Sequence, residues 1–149
     1  MSLSQREGRK SVAPVDFDPD ALGVALRDEC PEISFVLLLG SGRDGHIPTG
    51  ADLDLAVSLD SALTFDLVDR ITAIAQRFAP GVEIDIGRFD KAEPVYRFET
   101  LKGRLLFARD QERYLGAFSL ACREYESQMM DYRRQARYRL QRQGEVASL

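Results

Sequence analysis

Hydrophobic spacing divides the chain into short, distinct segments. Ile33 to Leu39 is a continuous apolar run with β-branched and aromatic members, and it reads as a buried strand. Asp52 to Ser58 alternates, with Leu53, Leu55 and Val57 on one face, and Val82 to Ile86 alternates in the same way. Between these two strands, Leu67, Val68, Ile71, Ile74, Ala75 and Phe78 recur at helical spacing, so Thr64 to Phe78 is an amphipathic helix stopped by Pro80-Gly81. Asp18-Pro19 opens an earlier helix that runs to Asp28 or Glu29, where Pro31 disfavours continuation. Pro94 opens a short helix closed by Gly103, and Arg104 to Phe107 is a fourth strand. From Gln111 to Gln143 the pattern is one long helix, with Tyr114, Phe118, Cys122, Tyr125, Met129, Tyr132, Ala136 and Leu140 in a single stripe. The expected fold is a mixed α/β (α+β) domain: a small sheet of about four strands flanked by helices, with a long C-terminal helix. Residues 1–15 are polar and read as disordered, residues 16–110 form the domain, and residues 111–149 form the C-terminal helix, a candidate partner surface.

The 149 residues fit one domain, with 44% hydrophobic and 30% charged residues, a soluble globular composition. A net charge of −4 argues against a nucleic-acid coat and makes direct nucleic-acid binding unfavoured. Cys30 and Cys122 match neither a zinc spacing nor a disulfide framework, so both are expected as buried thiols. No run of eighteen apolar residues spans a membrane and no signal-peptide core is visible, which makes the cytoplasm the expected location.

The chemistry gathers around one loop and two strands. Gly40-Ser41 follows directly on the first buried strand, and glycine here lets backbone N–H groups approach an anion. The loop from Gly40 to Gly50 is glycine-rich and has room for one short helical turn. Asp52 and Asp54 lie two apart on a strand, so their carboxylates share a face. Glu83 and Asp85 occupy the same kind of face on Val82 to Ile86, while Val82, Ile84 and Ile86 point inward. If the two strands are neighbours, three carboxylates converge, and a divalent cation such as Mg²⁺ relieves their repulsion. An acidic patch on an otherwise well-patterned sheet points to function. His46, the single histidine, sits in the loop and is read as solvent-exposed; Asp44, Asp60, Asp66 and Asp90 are read as turn, cap or surface residues.

Gly40-Ser41, ten intervening residues, Asp52-Leu53-Asp54 and a later Asp85 together resemble the signature of the polymerase-beta-like nucleotidyltransferase superfamily, and within it the minimal nucleotidyltransferases. The resemblance covers roughly residues 30–110; Ala51 departs from it, since many members have serine before the first aspartate. It implies that Asp52 and Asp54 hold two Mg²⁺ ions and that Asp85 binds one of them and helps to deprotonate an acceptor hydroxyl. It also implies that Gly40 and Ser41 hold the triphosphate, with Arg43 placed to touch a phosphate. The segment from Lys91 to Phe107 is similar to that of antitoxins of HEPN–MNT toxin–antitoxin pairs, which implies transfer of AMP from ATP to a tyrosine of a HEPN ribonuclease toxin. The HEPN motif itself, Arg followed four to six residues later by His, is absent, because positions 40 to 42 are Gly40, Ser41 and Gly42.

The long helix adds an independent pointer to a protein partner. About 33 residues of helix span about 50 Å, more than a compact domain of this size, so the helix is expected to overhang the body with part of its stripe uncovered. Arg133, Arg134, Arg137, Arg139 and Arg142 make its end basic. Two alternatives stand beside the enzymatic antitoxin: an antitoxin that acts by binding alone, and an aminoglycoside-type nucleotidyltransferase acting on a small molecule. The second would need a homo-oligomer to complete its pocket, since little beyond one helix follows residue 110.

Overall fold

The computed structural model of the chain describes residues 13–147. Its elements are β1 (Val15–Asp16), α1 (Pro19–Glu29), β2 (Ile33–Leu39), a 3-10 helix (Gly40–Asp44) and β3 (His46–Ile47). They continue with β4 (Leu53–Leu59), α2 (Phe65–Phe78), β5 (Ile84–Arg88), α3 (Pro94–Thr100), β6 (Arg104–Ala108) and α4 (Gln111–Ala147). The expected order of helices and strands is observed. The mixed α/β class holds, with a four-stranded sheet in the order β5-β4-β2-β6.

Local chemistry explains the boundaries. The Asp18 carboxylate accepts from the backbone N–H of Asp20 at 3.0 Å and of Ala21 at 3.4 Å, satisfying donors that the first turn of α1 leaves free. Thr64 caps α2 through the N–H of Leu67. The C-terminal end of α1 has a partner that sequence pattern did not suggest. Arg109, just after β6, donates Nε to the Ile33 carbonyl at 2.6 Å and Nη2 to the Cys30 carbonyl at 2.8 Å, tying the α1–β2 turn to the far edge of the sheet.

β4 runs antiparallel to β2 and parallel to β5, and β6 runs antiparallel to β2 on its other side. One face of the sheet carries Val36, Leu38, Leu53, Leu55 and Val57, covered by Leu22 and Leu26 of α1 and by Leu67, Ile71 and Ile74 of α2. Each such side chain contributes about 1.5–3 kcal/mol by leaving water. On the other face Phe35, Leu37 and Ala56 meet Tyr114 and Ala121 of α4, with the Phe35 ring edge-on to Phe89 and Tyr114. Helix α3 is pinned to α4 by the stacked rings of Phe98 and Tyr125, 3.9 Å apart, and by the Arg97–Glu124 ion pair. It therefore lies along the same side of the sheet as α4.

Several boundaries differ from the sequence reading. The third strand begins at Ile84 rather than Val82, and the second at Leu53 rather than Asp52. The loop after β2 holds a full 3-10 turn, and also β3, which pairs with β1. That pairing places Val15 in a strand, whereas residues 1–15 were expected to be disordered; residues 1–12 of that expectation lie outside the described residues. Cys30 is buried as expected, but Cys122 is only partly so. The stripe of α4 is divided: Tyr114 is buried and Tyr125 stacked, while every described side chain from Met130 to Gly144 is exposed. No helix among the described residues is long and apolar enough to cross a membrane.

Candidate active site

The acids stand where three strands meet the 3-10 turn. Asp54, the second residue of β4, is the register partner of Asp85 on β5 and of Leu39, the last residue of β2. Neighbouring strands are about 4.8 Å apart, so the side chains of Asp54 and Asp85 leave the same sheet face side by side. Asp52 lies two residues before Asp54, just outside the strand, and is exposed, as is Asp85. Asp54 is part-buried, and its carboxyl is pushed above the usual carboxylate range, first by burial and then by the charges of Asp85 and Asp52. Asp52 and Asp85 are therefore each close enough to Asp54 for their charges to act on it.

Among the described residues, no three Asp, Glu, His or Cys side chains already form a cluster that could hold a metal ion. The donor set nevertheless fits Mg²⁺, which takes hard oxygen ligands and is commonly held by one or two carboxylates together with substrate phosphates rather than by an all-protein cage. Asp54, with two like charges beside it, is the position a cation would relieve.

Gly40 is built for close approach. Its φ is +72°, a left-handed conformation that side chains disfavour, and a Cβ placed on it would lie 3.2 Å from Asp54 Oδ2. The turn thus passes directly over the acid. Ser41 follows on the 3-10 helix and is exposed. Arg43 is more committed than its place in a glycine-rich loop suggests. Its Nε donates to the Gly40 carbonyl at 3.1 Å and its Nη1 to the Lys102 carbonyl at 3.0 Å, so it fastens the turn to the segment after α3.

Beside the turn a cavity of about 310 Å³ opens, lined by Leu39, Gly40, Arg43, Tyr96, Glu99 and Lys102. From the sequence, Tyr96 is only one position of the Lys91–Phe107 segment. In the fold, a Cβ on Gly87 would come within 2.4 Å of its hydroxyl, so the phenol rests on the β5 backbone two residues beyond Asp85. Burial, then the charges of Asp85 and Asp54, raise its pKa. Lys102 pairs with Glu99 at 3.1 Å on the cavity rim. His46 takes no part, since its Nδ1 lies 2.6 Å from Asp16 Oδ1 across the β1–β3 pair.

The stretch that carries this turn and these acids is matched by a family model. The model described as "Polymerase beta, Nucleotidyltransferase" covers residues 25–112, more than half of the chain. The chain belongs to this nucleotidyltransferase family. The matched span contains Gly40, Ser41, Asp52, Asp54 and Asp85, and it ends where α4 begins. No curated protein matches the chain. Among solved structures, this nucleotidyltransferase domain is similar to a toxin–antitoxin with AMP-PNP. The identity is 22%, with 80% of this chain and 94% of that one covered and a TM-score of 0.60. It is similar to the MntA–HepT toxin–antitoxin, at 20% identity, 79% and 91% coverage and a TM-score of 0.55. It is also similar to a Shewanella oneidensis structure of a tri-AMPylated HEPN toxin in complex with an MNT antitoxin, at 21% identity, 79% and 90% coverage and a TM-score of 0.56. At these identities the likeness is one of fold.

Proposed function

We propose that this nucleotidyltransferase is a cytoplasmic, Mg²⁺-dependent protein adenylyltransferase, an antitoxin that moves AMP from ATP to a tyrosine of a cognate HEPN ribonuclease toxin and so neutralises it. The observation that carries this reading is the registered pair Asp54–Asp85 with Gly40 folded against Asp54. Asp52, Asp54 and Asp85 are the residues that would hold two Mg²⁺ ions. When bound, the ions would neutralise the acids and stabilise the attacking and leaving oxygens of an in-line displacement at the α-phosphorus. Gly40 and Ser41 present the backbone N–H groups and the hydroxyl that hold the triphosphate. Arg43 keeps that turn in place, with part of its guanidinium left for a phosphate. Asp85, exposed at the edge strand β5, takes the proton of the acceptor hydroxyl.

Two similar folds support the nucleotide and the acceptor: one is a toxin–antitoxin with AMP-PNP, the other a tri-AMPylated HEPN toxin in complex with an MNT antitoxin. The exposed outer half of α4 offers the partner surface, since Tyr132, Tyr138 and Leu140 are each at least half exposed at 50%, 60% and 66%. The test is transfer of label from α-labelled ATP to a co-expressed helical partner, with loss in Asp52→Ala and Asp54→Ala. Stoichiometric binding of that partner with no transfer under any divalent metal refutes the enzymatic half.

A second reading, an antitoxin that neutralises by binding alone, draws on the exposed outer half of α4, a surface that could hold a partner without any of the acids. Neutralisation that survives Asp52→Asn combined with Asp54→Asn selects it.

A further inference from the structure

We propose that Tyr96 is a self-modification site: its hydroxyl accepts a nucleoside monophosphate from the nucleotide bound at the acids of the same chain. This rests on the nucleotidyl-transfer reading above and adds to it a second acceptor, one internal to the chain.

The argument is the order of groups across the cleft. In-line displacement needs leaving group, phosphorus and incoming oxygen in a row, with the reacting atoms about 3–3.5 Å apart. Gly40, the anion-binding turn, lies against Asp54. Asp54 lies beside Asp85. Gly87 follows Asp85 by two residues, hence on the same face of β5, and the Tyr96 hydroxyl rests on it. The run is therefore turn, acids, hydroxyl. The same tyrosine lines the cavity that Gly40, Arg43 and Lys102 also line, so a nucleotide seated there touches it.

The neighbouring hydroxyls of Thr100 and Ser58 are already engaged. Thr100 Oγ1 donates to the Arg97 carbonyl at 2.7 Å, and Ser58 Oγ donates to Asp90 at 2.7 Å. Ser41 belongs to the turn itself. The Tyr96 hydroxyl makes no hydrogen bond among the described residues, and the side chain is reachable, with the residue 39% exposed. Gly87 has no positive φ that would call for glycine, and its lack of a side chain is what admits the phenol.

The step balances without a further reagent. The Tyr96 oxygen bonds to the α-phosphorus, and the bond from that phosphorus to the bridging oxygen breaks. Pyrophosphate leaves with the electron pair, and the phenolic proton passes to the Asp85 carboxylate and on to water. The product is a phosphodiester on Tyr96 that fills the cavity and blocks the next nucleotide.

The test uses the purified full chain, ATP labelled at the α-phosphate, and Mg²⁺, with no partner. The expected result is one AMP adduct per chain by intact mass, placed on Tyr96 by peptide mapping. It forms at a rate per chain independent of protein concentration, and it is lost in Tyr96→Phe and in Asp85→Asn. Peptide mapping of the unmutated chain decides the matter even where Tyr96→Phe fails to fold. An adduct that maps elsewhere or persists in Tyr96→Phe overturns the proposal. So does a chain that labels a co-expressed helical partner but never itself, an outcome that leaves the enzymatic reading intact. A chain that binds no ATP with Mg²⁺ and labels nothing overturns both.

Discussion

Asp54 and Asp85 stand directly opposite each other on the parallel strands β4 and β5, an acid facing an acid across one strand spacing. The pairing opposes folding, because like charges directly across a sheet repel and Asp54 is partly withdrawn from water. A carboxyl held above its ordinary pKa binds its proton more tightly folded than unfolded. Stability therefore falls as pH rises from the ordinary value of 3.8 through the folded value. Asp54→Asn accordingly raises the melting temperature by a few degrees at pH 7 in the presence of a chelator. The gain shrinks toward zero as pH falls below 3.8, and calorimetry across that range checks it.

If the site binds nucleotide as proposed, Mg²⁺ with ATP is expected to stabilise the chain by mass action. A ligand at about 100 times its Kd adds about 2.7 kcal/mol. The thermal shift is expected to disappear in Asp52→Ala and Asp54→Ala and on adding excess chelator. Equal shifts in all three proteins would show that the ligand binds elsewhere.

Gly40→Ala strains a residue with φ of +72° and brings a methyl to 3.2 Å from Asp54 Oδ2. The left-handed conformation alone costs a side chain about 1–2 kcal/mol. The expected outcome is that loss of stability by chemical denaturation, together with a fall of about 10- to 100-fold in kcat/KM as the turn leaves its place over the acid.

Arg43→Ala removes two hydrogen bonds to main-chain carbonyls that hold the turn to Lys102. Both are exposed, so stability is expected to drop by only about 1 kcal/mol. Nucleotide affinity falls further than stability, which titration calorimetry measures. Arg43→Lys does not restore it, because a single ammonium cannot span both carbonyls as the guanidinium does.

Removing residues 131–147 leaves the sheet and both cores untouched, since every described side chain removed is exposed. The melting temperature is expected to stay within the shift of about 0.5 kcal/mol typical of surface changes. Co-purification of a partner is lost, as size-exclusion chromatography of the co-expressed pair would show.

The face on which the acids stand was legible because strand periodicity decides it before any tertiary contact forms. Asp52 and Asp54 share a face by spacing alone, and Asp85 follows from the alternation of Ile84 and Ile86. That Asp85 lands opposite Asp54 was not legible, since spacing within a strand says nothing of the register between two strands. Tyr96 and Gly87 escaped for the same reason. Nine residues apart, they meet only because α3 docks on α4 and carries the phenol over β5. Arg43 was readable as a basic residue in a glycine loop, but its partner, the Lys102 carbonyl, lies 59 residues away. β1 and β3 are two residues each, too short for any alternation to register.

Helix α4 has 37 residues, of which the inner part is locked into the sheet and the outer part is bare. Side chains on the bare part can be exchanged without repacking anything beneath them. A graft of the outer helix between relatives would therefore test, with the acids untouched, whether this surface chooses the partner. Substitutions can accumulate along this free surface with little loss of stability.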